Sequence, residues 1–230
     1  MNENVFRRVE KKYLITEKQK DAFLKLIDDY IEKDEYFESH ISNIYFDNDK
    51  FDLITTSIEK PLFKAKLRLR SYDVPSLEDK VFLEIKDKYK GVVGKRRIKI
   101  KLSDFYKYLE TGSTKDEQIM REIDYYFKKY DLHPQIFVAY DRLSYKGRDN
   151  KNIRITIDEN LRSRTEDLRL ELGSNGKKYF QDREYIMEIK ILDAMPLWLA
   201  RSLSTLKIYP TSFSKVGSIY KKLKGSEVHC

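Results

Sequence analysis

The stretch from Val81 to Ile100 alternates aliphatic with charged residues, and its charged half is nearly all of one sign. Successive side chains of an extended strand point to opposite faces, so Val81, Leu83 and Ile85 share one face while Glu84, Lys86 and Lys88 share the other. A turn predicted at Gly91 and Gly94 reverses the chain. The return arm then sets Lys95, Arg97 and Lys99 against Ile98 and Ile100. Just upstream, Lys66, Arg68 and Arg70 oppose Ala65, Leu67 and Leu69. The aliphatic stripes require burial. The charged stripes of a half-buried antiparallel sheet normally face water, but such faces mix both signs. Here one carboxylate, Glu84, stands among the cations of three successive strands, and what those cations face decides the function.

The pattern recurs far along the chain. A strand is expected over Val5–Ile15, with Arg8, Glu10 and Lys12 on one face. Another covers Ile136–Tyr145, with Tyr140 and Arg142. Ile153–Asp158 sets Arg154 and Thr156 opposite three isoleucines, and Tyr185–Ile191 places Glu188 and Lys190 opposite Met187, Ile189 and Ile191. Ile41–Asp47 adds a strand, and Leu161–Leu172 reads as extended. Thr16-Glu17-Lys18-Gln19 is a capping-box pattern opening a helix with Phe23, Leu26, Ile27 and Tyr30 on its apolar face. Further helices are expected from Ser103 to Thr111-Gly112 and over Thr114–Tyr130, with Ile119, Ile123, Tyr126, Phe127 and Tyr130 inward and His133-Pro134 as the stop. Two more run from Pro196 to Leu206 and from Ser212 to Leu223. With no repeat and no linker, residues 1–230 read as one domain.

About eight strands, mostly joined by hairpins, with several amphipathic helices, predict an α+β fold: a closed or nearly closed antiparallel β-barrel tunnel with flanking helices. Helices can cover only one side of a barrel. If they cover the outside, the cation stripes meet in the lumen. Two cations about 6 Å apart repel by roughly 2–3 kcal/mol at an effective dielectric near 20, so such a lumen needs a polyanion. The surplus of 46 Lys and Arg over 38 Asp and Glu points the same way. No run approaches the length of a membrane span, and the charged start predicts no signal peptide. Cys230 is the only cysteine, which excludes disulfides and thiolate metal sites and fits a cytoplasmic setting. His40, His133 and His229 lack ligand spacing.

The ordered set Arg8-x-Glu10-x-Lys12, Lys66-x-Arg68-x-Arg70-x-Tyr72, Glu84-x-Lys86, Lys95-x-Arg97, Tyr140-x-Arg142, Arg154, Glu188-x-Lys190 and Phe213-Ser214-Lys215 resembles the VTC-type polyphosphate polymerase domain, a branch of the CYTH-like triphosphate tunnel metalloenzymes. The resemblance covers about residues 5–222. It implies that Lys12, Arg68, Arg70, Arg142, Arg154 and Lys215 act on the reacting phosphates. Glu10, Lys66, Lys86, Lys95, Arg97, Tyr140 and Lys190 would line the chain, and Glu188 would hold Mn²⁺ or Mg²⁺. The residue chemistry agrees: Arg offers a fixed fork to phosphate oxygens, Lys a movable point charge, and a hard divalent cation takes carboxylate and phosphate oxygens together. Each has a plainer reading beside it. Glu188 can be half of a cross-strand ion pair, Lys215 a solvated helix lysine, and Tyr140 ordinary packing.

Two departures orient the reading. Hydrolase and cyclase members of the wider group begin Glu-x-Glu-x-Lys, whereas Arg8 replaces the first acid here. The eukaryotic polymerase also carries a phosphate-sensing domain and membrane helices that are not expected in this chain, so recruitment to a membrane channel would need another protein. The expected activity is ATP:polyphosphate phosphotransfer, with ATP and polyphosphate as ligands and no nucleic acid. Triphosphate hydrolysis, with Glu10 or Glu84 orienting water, and a non-catalytic polyphosphate-binding module are the alternatives. Nucleic-acid readers interleave aromatics with basic groups, whereas these stripes alternate with aliphatics.

Overall fold

The computed structural model describes residues 8–59, 61–90, 92–112, 118–180, 184–192 and 194–227. The predicted strand residues before Arg8, the side chain of Arg8, the helix start at 114–117, Gly91, His229 and Cys230 lie outside the described residues. Among the described residues nine strands form: β1 (Arg8–Thr16), β2 (Ile31–Asp47), β3 (Phe63–Tyr72), β4 (Lys80–Tyr89), β5 (Val92–Lys101), β6 (His133–Gly147), β7 (Arg154–Arg164), β8 (Lys177–Lys178) and β9 (Glu184–Leu192). Six α-helices accompany them: α1 (Glu17–Ile27), α2 (Asp52–Glu59), α3 (Leu102–Thr111), α4 (Gln118–Tyr130), α5 (Leu197–Thr205) and α6 (Lys215–Glu227).

The hydrogen-bonded strand order is β1-β9-β7-β6-β2-β3-β4-β5, with β8 against β7. The ladders β1–β9, β7–β9, β7–β8, β2–β3, β3–β4 and β4–β5 are antiparallel. The antiparallel sheet with flanking helices is as expected. Against the closed or nearly closed barrel expected, the sheet among the described residues is not closed: its order ends at β1 and β5. The sequence of β5 suits an end strand: Lys95, Arg97, Lys99 and Lys101 are charges that discourage further pairing.

The chain divides into two compact units, Met1–Ser39 with Tyr140–Leu161 and Phe180–Phe213, and His40–Ala139 with Arg162–Tyr179 and Ser214–Cys230. The divisions at Ser39/His40 and Ala139/Tyr140 fall inside β2 and β6, so no linker marks them.

In the first unit the core forms between the aliphatic stripes of β1, β7 and β9 and helices α1 and α5: Tyr13, Ile155, Met187 and Ile189 meet Phe23, Ile27 and Leu199. Thr16 and Gln19 make both bonds of the predicted capping box. The apolar face of α1 is narrower than expected. Phe23 and Ile27 are buried, but Leu26 is exposed, because the α-helix ends at Ile27 and a 3₁₀ turn follows over Asp28–Tyr30. Tyr30 instead stacks on Trp198 at 4.5 Å.

In the second unit Leu67, Leu69, Leu83 and Ile85 pack on Phe105 of α3 and on Met120 and Ile123 of α4. Ile119, Phe127 and Tyr130 are only partly buried at the margin of that core. Five predicted boundaries move. β2 begins ten residues before Ile41. β6 begins at His133, with Pro134 at the strand start, where a missing N–H is tolerated. Of the stretch Leu161–Leu172, only the part to Arg164 is strand. The final helix starts at Lys215, not Ser212, and Pro196 caps α5 from outside it. Gly94 lies within β5 rather than in the turn, which uses Lys90 at φ 46°. A Cβ at Gly94 would come 2.1 Å from Asp87 Oδ1, so the glycine gives Asp87 room to pair with Arg96.

Candidate phosphate-binding site

The second unit carries the denser set of cations. Register places Tyr45, Arg68, Glu84 and Arg97 in one cross-strand row, Asn43, Arg70, Phe82 and Lys99 in the next, and Lys66, Lys86 and Lys95 in a third. Alternation puts all of them on the face opposite Leu67, Leu69, Leu83 and Ile85. On β3, β4 and β5 this face holds Lys66, Arg68, Arg70, Lys86, Lys95 and Arg97, with Glu84 as its carboxylate. Glu84 is 1% exposed. Arg68 reaches its Oε2 at 2.8 Å through Nε and 2.7 Å through Nη2, Lys95 lies 3.0 Å from Oε1, and Arg70 lies 3.9 Å from Oε2. Burial would raise the pKa of Glu84, but Arg68, Arg70 and Lys95 outweigh it and hold the group at about 2.

Arg68 also donates to the Tyr45 hydroxyl at 3.2 Å, and Arg70 Nε donates to Asn43 Oδ1 at 2.9 Å. Asn43 in turn donates to the Val138 carbonyl. Both guanidinium groups are thus aimed by neighbours on β2. The third row is different: Lys66, Lys86 and Lys95 stand directly opposite one another, an arrangement unfavourable for like charges unless an anion joins them. Lys66 donates to Ser214 Oγ at 2.9 Å, and Ser214 Oγ accepts from Gly217 N at the start of α6. Lys215 follows as the first residue of that helix, half-buried. Lys86, Lys95 and Arg97 are exposed, and Arg97 lies over the Phe82 ring at 4.8 Å.

The first unit arranges its charges in pairs. Lys12, Glu188 and Thr156 form one row, and Glu10, Lys190 and Arg154 the next. Glu188 Oε1 meets Lys190 at 2.6 Å and Oε2 meets Lys12 at 3.9 Å, while Lys12 also lies 3.7 Å from Glu10 and donates to the Phe213 carbonyl. Glu188 is therefore in ion pairs, as the plainer reading had it. It is also a buried, ionised carboxylate facing cations. Burial pushes its pKa up, and Lys190, Lys12 and Arg142 outweigh that to hold it at about 2. Arg142 grips Asp158 through Nε at 2.5 Å and Nη2 at 2.9 Å, and lies 5.3 Å over the ring of buried Tyr140. Burial opposes the charge on Arg142, but Tyr140 and Asp158 raise its pKa beyond the ordinary arginine value. Arg154 is exposed.

The predicted residues thus fall into two sets. Glu10, Lys12, Tyr140, Arg142, Arg154, Glu188 and Lys190 belong to the first unit; Lys66, Arg68, Arg70, Lys86, Lys95, Arg97 and Lys215 belong to the second. Sequence reasoning assigned no role to Asn43, Tyr45, Asp158 or Ser214. Strand parity marks Asp158, which shares a face of β7 with Arg154, but only the register brings Asn43 and Tyr45 to Arg70 and Arg68, and only the fold brings Asp158 to Arg142.

No group of three or more His, Cys, Asp or Glu side chains able to hold a metal occurs among the described residues. Glu188 offers a hard, fully ionised carboxylate. That donor set suits a divalent cation that brings phosphate oxygens and water of its own, rather than one caged by the protein.

A mostly antiparallel sheet accompanied by flanking helices is the architecture of the triphosphate tunnel fold. That fold is shared with a candidate adenylate cyclase from Vibrio parahaemolyticus (TM-score 0.51, 15% identity, 94% of this chain and 98% of that one). A candidate adenylyl cyclase from Hippeastrum, described as having a dominant triphosphatase activity, also shares it (TM-score 0.54, 15% identity, 94% and 96%). The sequence model of the VTC domain matches residues 7–224, and the chain belongs to that family. Vacuolar transporter chaperone complex subunit 4 of Trypanosoma brucei brucei is 29% identical over 163 residues, which is 57% of this chain. The match spans about a fifth of that relative's length, 21%. No helix among the described residues is long and apolar enough to cross a membrane.

Proposed function

We propose that this chain is a polyphosphate polymerase, transferring the γ-phosphate of ATP to the end of a growing polyphosphate chain. The observation that carries this reading is the state of the acids. Glu84 and Glu188 are both held at about 2 by surrounding cations. A general base works best with a pKa near the operating pH, so neither carboxylate is suited to activating water. A terminal phosphate is already an oxyanion and needs no base.

In the proposed reaction a terminal phosphate oxygen attacks the γ-phosphorus of ATP. The new P–O bond forms as the bond from that phosphorus to the β–γ bridging oxygen breaks, and ADP leaves with the bonding pair. Phosphoryl transfer needs chiefly positioning and charge neutralisation. Arg68 and Arg70, aimed by Tyr45, Asn43 and Glu84, would hold non-bridging oxygens, as would Lys12, Arg142, Arg154 and Lys215. Lys66, Lys86, Lys95 and Arg97 would bind further phosphates, with Glu10, Tyr140 and Lys190 beside the chain. Mn²⁺ or Mg²⁺ at Glu188 would neutralise charge on the triphosphate. A partner in a larger complex is part of this reading, because the trypanosome relative is named as a complex subunit.

Triphosphate hydrolysis is the second reading, favoured by the activity described for the Hippeastrum neighbour. Labelled ATP with Mn²⁺ separates the two. Acid-stable chains longer than three phosphates together with ADP support the polymerase. Stoichiometric orthophosphate without polymer assigns a triphosphatase.

A further inference from the structure

One end of the β3-β4-β5 meander is apolar where a solvated hairpin tip would be polar. Leu62 is 70% exposed and Val92 74%, and Phe63, Tyr89 and Val93 are exposed beside them. The register makes them neighbours: Phe63 pairs with Tyr89 and Tyr89 with Val92, while the Lys90 amide donates to the Leu62 carbonyl. Isolated exposed apolar residues are ordinary, but a contiguous cluster marks an interaction surface. Strand parity puts Phe63, Tyr89 and Val92 on one face and Val93 on the other, so the tip is a wedge rather than one wall of a groove.

Cations surround the wedge. Lys64 and Lys88 pair directly, Lys88 lies opposite Val93, and Lys90 lies over the Tyr89 ring at 5.3 Å. The carboxylate of these strand ends, Asp87, is already bound by Arg96 at 2.5 Å, and Arg96 also meets Glu122 at 2.6 Å. Lys64 donates to the Ser57 carbonyl, and the tip presents the positive charge of the exposed Lys88 and Lys90 around aliphatic and aromatic groups.

We propose that this tip docks the protein on an anionic lipid surface, with Leu62, Val92 and Val93 entering the headgroup boundary and Lys64, Lys88 and Lys90 meeting lipid phosphates. Apolar burial combined with attraction to anionic headgroups is the physics of interfacial binding, and aromatic residues such as Phe63 and Tyr89 suit the headgroup level. A two-faced wedge enters a lipid layer more readily than it fits the one-sided apolar patch of a folded partner. The inference is independent of the polymerase reading, since it uses no residue assigned to phosphate chemistry.

Sedimentation with phosphatidylcholine vesicles, with and without phosphatidylglycerol, tests it. Binding is expected only with the anionic vesicles and should weaken with added salt. Val92→Asp/Val93→Asp and Lys88→Glu/Lys90→Glu should each lower it roughly tenfold, while Arg68→Ala leaves it unchanged. All the substituted tip residues are exposed, so an unchanged Tm confirms that each variant is folded. Vesicle binding that survives both tip variants but disappears in Arg68→Ala would overturn the proposal, as would no vesicle binding, or capture of an acidic protein by the tip in place of lipid.

Discussion

Arg68 and Arg142 both lie against buried carboxylates, yet the two units use that contact differently. In the first unit Arg142 holds Asp158 in a bidentate grip, and Glu188 is matched to Lys12 and Lys190. In the second unit Glu84 is divided among Arg68, Arg70 and Lys95, and Lys66, Lys86 and Lys95 stand opposite one another in a single row. A matched pair is a structural element, and removing one member strands the other. A shared carboxylate leaves cations in surplus, and surplus positive charge is what recruits an anion. Arg142 thus braces the fold in addition to the phosphate contact proposed for it, whereas the surplus around Arg68 suits that residue chiefly to ligand.

The largest effect should come from Arg142→Ala. It leaves Asp158, 1% exposed, without its guanidinium, and removal of one member of a buried pair costs about 3–5 kcal/mol. Arg68→Ala should cost the free protein less than Arg142→Ala does, because Arg70 and Lys95 remain beside buried Glu84. Its loss should appear in ligand binding, with tripolyphosphate affinity down roughly tenfold to a hundredfold. Urea unfolding and calorimetric titration of both variants check the contrast. If Arg68→Ala proved the less stable protein, with binding intact, the assignment of roles to the two units would be reversed.

Next in size is the pair Glu188→Gln and Glu84→Gln. Glu188→Gln removes the charge that a divalent cation needs, so turnover with ATP should fall about a hundredfold while metal-free polyphosphate binding persists. Glu84→Gln removes the charge shared by three cations. It should lower the Tm of the free protein, and tripolyphosphate should restore much of the loss by supplying the missing anion. Equal turnover in wild type and Glu188→Gln removes that residue from the reaction. A ligand-independent Tm loss in Glu84→Gln would mean that phosphate does not reach Arg68 and Arg70.

Much of this contrast could be read from side-chain alternation. The stripes Lys66/Arg68/Arg70 and Glu84/Lys86 are polar-face residues as expected, because a period of two fixes face whenever the opposite stripe must be buried. What alternation cannot supply is the partner across the ladder. Asp158 ends the run Ile153–Asp158 in plain sight, but its bond to Arg142 depends on how β6 is placed. The first half of β2, Ile31–His40, was illegible for another reason. Its Glu, Lys and Asp residues depress strand propensity, and only its pairing within the sheet overrides that. Closure could not be read either, since it depends on the edges of β1 and β5 rather than on any residue's face.

The smallest effect concerns Tyr45, and it tests whether the second unit's charge surplus is real. Burial alone would push its hydroxyl up, but Arg68, Lys66 and Arg70 outweigh burial and bring it from 10.0 down to about 8. A folded-state pKa below the unfolded one adds stability as pH rises: the contribution is complete above about 10 and disappears as pH falls through about 8. Wild type should therefore gain stability over Tyr45→Phe between those values. At neutral pH, where the hydroxyl is protonated, the variant loses only the bond to Arg68, and tripolyphosphate affinity should change by no more than about threefold. Above pH 8 the phenolate competes with phosphate for Arg68, so wild-type affinity should decline more steeply than that of Tyr45→Phe. An ultraviolet difference titration of wild type against Tyr45→Phe should show one phenol ionising near pH 8, and bound tripolyphosphate should move that transition upward. A transition that stays near 10 would mean that the cations around Tyr45 are already neutralised by the protein, leaving no surplus for a phosphate chain to answer.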